Sequence, residues 1–343
     1  MLAAAEPNSG AYALGAVMGG SVLEDGAVEH WGALVAPWLV CYGARYEARH
    51  LLFRGLRTGR ESVWNALLGA CHIWLEKWRT ERVASFVLGP LLHGDDEPRH
   101  PEFPTMQWAL QWLEAFADKP EAGYVLAPLL GREHVRGEQA AQAVKLALQW
   151  LEAFASSKAA SFVLGPLLRF SFPSCKATPE QMQIVCHTVR WLSHWGEIVP
   201  AGYVLLAWHV AGWSEFVPNS AITEAANAWI RVNRAAGSGG PAMAIALALS
   251  PVDSPNALKT IAKAQSWVFN HKLHPSVGDV LSSLLAHCGH CKPLIGFIAD
   301  AAINFAWHQR MSPVRRVLTQ ALSILTADDH RRQEIEVILE RSR

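Results

Sequence analysis

The sequence predicts an all-α, right-handed α-solenoid of about eight two-helix repeats, each about 38 residues long. Three observations carry that reading. Two segments are nearly identical, ALQWLEAFADKPEAGYVLAPLL from Ala109 and ALQWLEAFASSKAASFVLGPLL from Ala147, and IWLEKWRTERVASFVLGPLL from Ile73 matches both. Trp38, Trp74, Trp112, Trp150, Trp191, Trp229 and Trp267 follow one another at steps of 36, 38, 38, 41, 38 and 38. A second landmark keeps the same register: Phe86, Tyr124, Phe162 and Tyr203 each stand 12 residues after an anchor tryptophan, with His50 in that place after Trp38.

The first 30 residues, rich in Ala and Gly, are read as an N-terminal cap segment, and residues 31–326 as the repeat array. Within each repeat the anchor tryptophan lies on a first helix. In the best-preserved copy Val144, Ala147, Leu148, Leu151 and Phe154 follow the i, i+3, i+4, i+7 pattern of an amphipathic helix. Short polar turns such as Asp118-Lys119-Pro120 and Ser156-Ser157-Lys158 end it. The second helix is the VLxPLL segment, whose apolar pairs recur as Val87-Leu88 with Leu91-Leu92, Val125-Leu126 with Leu129-Leu130, and Val163-Leu164 with Leu167-Leu168. The degenerate copies keep Val280-Leu281 with Leu284-Leu285, and Val317-Leu318 with Leu322. Pro90, Pro128 and Pro166 fall inside this second helix, where proline removes a hydrogen bond and crowds the preceding turn. A kink or a distorted first turn is expected there. Residues 327–343 are read as a charged C-terminal capping helix with an apolar stripe at Ile335, Val337, Ile338 and Leu339.

Composition narrows the function classes. At 343 residues the chain exceeds what one compact core holds, so an array or two domains are expected. Lys+Arg and Asp+Glu both number 30, so there is no overall basic excess of the kind nucleic-acid binders use. Six scattered cysteines do not make a disulfide framework in a chain this long. No signal-peptide pattern and no apolar stretch of membrane-spanning length is seen, so a cytoplasmic protein with no membrane partner is expected.

Candidate chemistry is sparse. The 15 tryptophans invite a recognition role, yet Trp74/Trp78, Trp112/Phe116, Trp150/Phe154 and Trp191/Trp195 are i, i+4 pairs at the repeat period, as packing positions are. Trp208, His209 and Trp213 break the pattern and are candidate partner-binding residues, as are Asp95, Asp96 and Arg99 in the loop spanning Gly94–Pro104. His287, Cys288, His290 and Cys291 are of the right types for zinc, but no second ligand pair completes a tetrahedron, and no metal or other cofactor is expected. Gly237-Ser238-Gly239-Gly240 lacks the Lys-Ser/Thr and the preceding strand of a phosphate loop, and no hydrolase, metalloprotease or EF-hand motif is present.

The paired-helix unit resembles the HEAT and tetratricopeptide class of α-solenoids, without the W-x2-L-G-x2-Y pattern of the latter. Octotricopeptide RNA-binding repeats share the period, while the proline of VLxPLL departs from them. The segment WLEAF…ASFVLGPLL is similar to Trp-Leu helical repeats of bacterial multidomain signalling and defence proteins. That resemblance covers most of the chain and implies a place beside NTPase or effector domains. The expectation is a non-catalytic protein-interaction scaffold or sensor that binds a protein or peptide partner within a larger complex. A nucleic-acid-binding helical-repeat protein is the alternative, and it requires Lys and Arg to gather on one face.

Overall fold

The computed structural model describes residues 35–58, 61–93, 104–132, 135–171, 178–213, 220–233, 239–248, 255–274, 276–288, 291–308 and 314–341, together with residues 10, 11 and 14. Every regular element among the described residues is a helix. The chain is an all-α solenoid of helical repeats, divided after Phe170 into two compact units.

The first unit is a succession of helical hairpins. Helical residues 35–42 precede α1 (Ala48–Leu56), against which α2 (Glu61–Trp78) packs, and α2 leads through the turn at Arg82–Ala84 into α3 (Ser85–His93). Then α4 (Thr105–Phe116) pairs with α5 (Ala122–Leu130), and α6 (Gly137–Phe154) with α7 (Ser161–Phe170). The second helices α1, α3, α5 and α7 pack each against the next in chain order. None of these short helices could persist alone in water. Their stability comes from buried rows such as Val87, Leu88, Leu91 and Leu92, repeated as Val125, Leu126, Leu129 and Leu130.

The anchor tryptophans seal one hairpin to the one before it. Trp38, Trp74, Trp112 and Trp150 are all buried. The indole Nε1–H of Trp74 donates to the Arg45 carbonyl at 2.9 Å, that of Trp112 to Glu81 at 2.8 Å, and that of Trp150 to Lys119 at 3.0 Å. Each acceptor stands seven residues after the previous anchor, in the turn between first and second helix. The same carbonyls also accept the backbone N–H of Ala48, Ala84 and Ala122, so both lone pairs are used. Tryptophan recurs because a large apolar body and one donor are needed together at this place.

Close approach of the backbones explains the small residues and prolines in the second helices. A Cβ on Gly89 of α3 would lie 2.7 Å from the Tyr124 carbonyl oxygen of α5. Pro128 has no N–H to offer that carbonyl four residues back, so it is left free to face α3. A Cβ on Gly123 would lie 2.9 Å from Cζ2 of Trp150, so the incoming indole rests on bare glycine. The helices run through Pro90, Pro128 and Pro166, and two of them enter by a 3-10 turn, at Arg82–Ala84 and Lys158–Ala160.

The second unit repeats the plan with more departures. Its hairpins are α8 (Pro179–Trp195) with α9 (Val199–Val210), α10 (Ser220–Asn233) with α11 (Gly239–Ala248), α12 (Pro255–Asn270) with α13 (Val277–Cys288), and α14 (Lys292–His308) with α15 (Arg315–Ile324). Thr178 and Gln181 form a reciprocal capping box at the start of α8. Trp229 donates to the Ile198 carbonyl at 2.9 Å, the same anchor-to-turn bond as in the first unit. The last helix, α16 (His330–Arg341), buries Ile335 and Ile338, while Val337 is exposed. Arg331 ties it back to Asp300 of α14 at 2.6 Å and to Asp329 at 3.2 Å.

Candidate binding surface on the second helices of the first unit

The residues singled out from the sequence divide into three groups. Trp208 and Trp213 are fully buried in the second unit and lie ring on ring, with centroids 5.7 Å apart. Trp213, just after α9, turns its indole into the core beside that of Trp208. His209, beside them, is half-buried. The nearby Asp279 carboxyl is pushed up by burial, with His209 acting against the shift.

Among the zinc candidates, His287 is turned inward on α13 and Cys291 is exposed. His290 lies outside the described residues, and so does the side chain of Cys288. No group of three or more His, Cys, Asp or Glu side chains placed to hold a metal occurs among the described residues. Asp95, Asp96 and Arg99 also lie outside them, with the rest of residues 94–103.

The structure instead draws attention to the second landmark. Phe86, Tyr124 and Phe162 are 41%, 70% and 65% exposed, on the neighbouring helices α3, α5 and α7. Each stands in the first turn of its helix. The residues just after them (Val-Leu, then Leu-Leu a turn later) face the core, which turns the aromatic ring outward by helical geometry. One turn further on stand Gly89, Ala127 and Gly165, too small to cover the rings. The line extends to α1, where Phe53 meets Phe86 edge to face at 5.6 Å. Helices in contact lie about 8–10 Å apart, so the three rings recur at about that interval. In the second unit Tyr203 holds the same register on α9 and is 60% exposed.

Charge on this row is one-signed. The helices α1, α3, α5 and α7 contain no Asp or Glu, although Glu47 and Glu121 precede α1 and α5 at their N-caps. Arg49 and Arg54 lie on α1, Arg57 at its C-cap, and Arg169 on α7, with Arg54, Arg57 and Arg169 exposed. Arg57 lies 5.2 Å over the Phe53 ring. The exposed carboxylates Glu76, Glu114 and Glu152 stand on the first helices α2, α4 and α6. In the turns Arg82 pairs with Glu121 of the next hairpin, and Lys119 with Asp118 at 2.7 Å, while Glu81 is exposed just before α3. The two paired carboxyls are held below the usual range, Asp118 chiefly by its hydrogen bond to Lys119. For Glu121 burial is the largest single influence and pushes upward, but the Arg82 hydrogen bond and the other contacts together outweigh it. His50 and His93 are depressed by burial first and then by neighbouring arginines, Arg49 beside His50, and Arg57 and Arg132 beside His93. The histidines are therefore neutral at pH 7, and the arginines carry the charge of the row.

In the sequence Phe86, Tyr124 and Phe162 read as markers of register; in the structure they are surface. A helical wheel over Ser85–His93 holds the signal for this: with Val87, Leu88, Leu91 and Leu92 inward, position 86 must point out.

No protein family matches the chain, and neither does any curated protein. Among solved structures, the chain is similar to the Puf4 RNA-binding domain bound to the HO endonuclease RNA 3′ UTR recognition sequence. The identity is 11%, over 97% of this chain and 90% of that one, with a TM-score of 0.32. No helix among the described residues is long and apolar enough to cross a membrane.

Proposed function

We propose that this chain is a non-catalytic binding scaffold that holds an extended macromolecular partner along the second-helix row of its first unit. The observation that carries the reading is the recurrence of an exposed aromatic ring at the repeat period, on Phe86, Tyr124 and Phe162. A packing role does not call for such exposure, and a large ring left in water forgoes the free energy its burial would bring. Repeat arrays bind through extended surfaces to which each repeat contributes similar contacts.

A protein or peptide partner is supported by ring type, since Tyr and Phe are favoured contact residues at interfaces. A nucleic-acid partner is supported by the four acid-free helices, of which α1 and α7 carry arginine. The likeness of WLEAF…ASFVLGPLL to bacterial signalling and defence repeats supports a place as the recognition part of a larger assembly.

The test is recovery of the full chain with bound partners from its own cells, followed by mass spectrometry for proteins and nuclease-sensitive absorbance for nucleic acid. The partner should be lost from the combined variant Phe86→Ala, Tyr124→Ala, Phe162→Ala while the fold is retained. The same partner held equally by a folded triple variant would refute the placement of the surface.

A further inference from the structure

Resting on that surface, we infer that the second-helix row of the first unit binds single-stranded nucleic acid, with unstacked bases on Phe86, Tyr124 and Phe162 and the strand drawn in by Arg54, Arg57 and Arg169. Charge complementarity selects this occupant. Beyond their N-caps the four helices hold no carboxylate, and exposed guanidinium groups flank the rings at both ends, beside α1 and on α7. Among the described residues none of these three arginines is in an ion pair with an acid. Flat exposed rings with cationic groups beside them are a combination that single-strand binders use, because every base has a face to stack; here the arginines stand on α1, at its C-cap and on α7, and α3 and α5 carry none.

The spacing argues against a duplex. Stacked bases rise about 3.4 Å per step along a strand. Rings carried on adjacent helices recur at about 8–10 Å. A duplex cannot offer one base face to each ring, whereas a splayed single strand can. The positions one turn beyond the rings are Gly89, Ala127 and Gly165, small residues that leave Tyr124 and Phe162 open, while Phe86 already meets Phe53 edge to face. An acidic peptide satisfies the arginines equally but brings nothing flat to the rings, so the rings discriminate between the two occupants.

The experiment uses the full chain and fluorescence anisotropy with labelled oligo(U) RNA and oligo(T) DNA of about 15 nucleotides. A duplex of equal length and a poly-glutamate peptide of equal charge are the comparisons. Both single strands should bind better than the duplex and the peptide, and the RNA and DNA arms show whether the 2′-hydroxyl contributes. Phe86→Ala, Tyr124→Ala and Phe162→Ala should each weaken single-strand binding by about tenfold. The combined change of Arg54, Arg57 and Arg169 to Gln should make the salt dependence shallower by about two in log–log slope. Phe162→Leu, which keeps an apolar side chain without a ring, separates stacking from loss of fold, and circular dichroism checks every variant.

Equal binding of poly-glutamate and oligonucleotide would overturn the inference, as would ring variants that bind like the parent. Absence of single-strand binding at about 100 μM, the weak end of nonspecific affinities, would also overturn it. In that case, a protein partner released by the triple ring variant would leave the broader scaffold reading standing.

Discussion

Replacing Trp150 by Phe tests how the repeats are sealed. The change removes the Nε1–H that donates to the Lys119 carbonyl at 3.0 Å. That carbonyl keeps the Ala122 N–H at 3.1 Å, so it is not left unsatisfied, and the loss is the net worth of one bond, about 0.5–1.5 kcal/mol. Phenylalanine also lacks the outer part of the indole whose Cζ2 covers Gly123, leaving a void worth about 1–2 kcal/mol, less than a full truncation to alanine. The expected cost is about 2–3 kcal/mol. Gly123→Ala in the parent puts a Cβ 2.9 Å from Cζ2. The overpacking costs about 1–3 kcal/mol, offset by the gain of about 0.5–1 kcal/mol from replacing a helical glycine. In the Trp150→Phe background the same methyl enters the void, so the double variant should be more stable than the sum of the singles by about 1–2 kcal/mol. Urea unfolding followed by circular dichroism measures all three, with the slope checked for loss of cooperativity between repeats. Costs that add to within about 0.5 kcal/mol would show that Gly123 and Trp150 do not meet as described.

Other expectations follow from the same geometry. Gly89→Ala should destabilise by about 1–3 kcal/mol, because its methyl would meet the Tyr124 carbonyl, which is backbone and cannot swing aside. Gly165→Ala, with nothing within 4 Å, should be neutral or stabilise by up to about 1 kcal/mol, and a thermal melt of the pair gives opposite signs. His274 is held below its ordinary pKa chiefly by burial and then by His271, and its Nδ1 accepts the Ser276 N–H at 3.2 Å. The unfolded chain therefore binds the proton more readily. His274 contributes no penalty above about pH 6.5, and stability falls as pH drops below that value toward the folded pKa. His274→Asn should flatten this part of a stability-against-pH curve; an unchanged slope would count against it. Burial pushes the Cys71 thiol far up, whereas Cys41, Cys186 and Cys291 are exposed. A thiol reagent followed by peptide mapping should label those three in the native protein and reach Cys71 only on unfolding.

The repeat is legible in the sequence because its cause is local and periodic. A large apolar side chain every 38 residues, followed by buried apolar pairs at fixed offsets, admits few readings other than stacked hairpins. The reason for tryptophan in particular is not legible there. Its indole donor reaches a carbonyl 29 to 31 residues back, and no periodicity in the chain announces that contact. The breaks in the pattern at Trp208 and Trp213 suggest a recognition surface. In the structure both indoles are buried and packed on each other, so the broken register there goes with a locally different core. The regular aromatics 12 residues after Trp74, Trp112 and Trp150 mark the register in the sequence and nothing more. Phe86, Tyr124 and Phe162 are exposed in the structure, since the faces beside them already fill the core.

By itself the sequence determined the helix pairs, their order and their register, since the spacing of apolar residues along a helix dictates which face must leave water. Tertiary structure decided what neighbouring hairpins do to one another. Only there do glycine and indole meet, a proline-freed carbonyl face a neighbouring helix, and Phe86, Tyr124 and Phe162 line up on helices without an acid among them. Those contacts join residues a full repeat apart, so they depend on how hairpins stack. The exposed aromatic ladder is a product of that stacking.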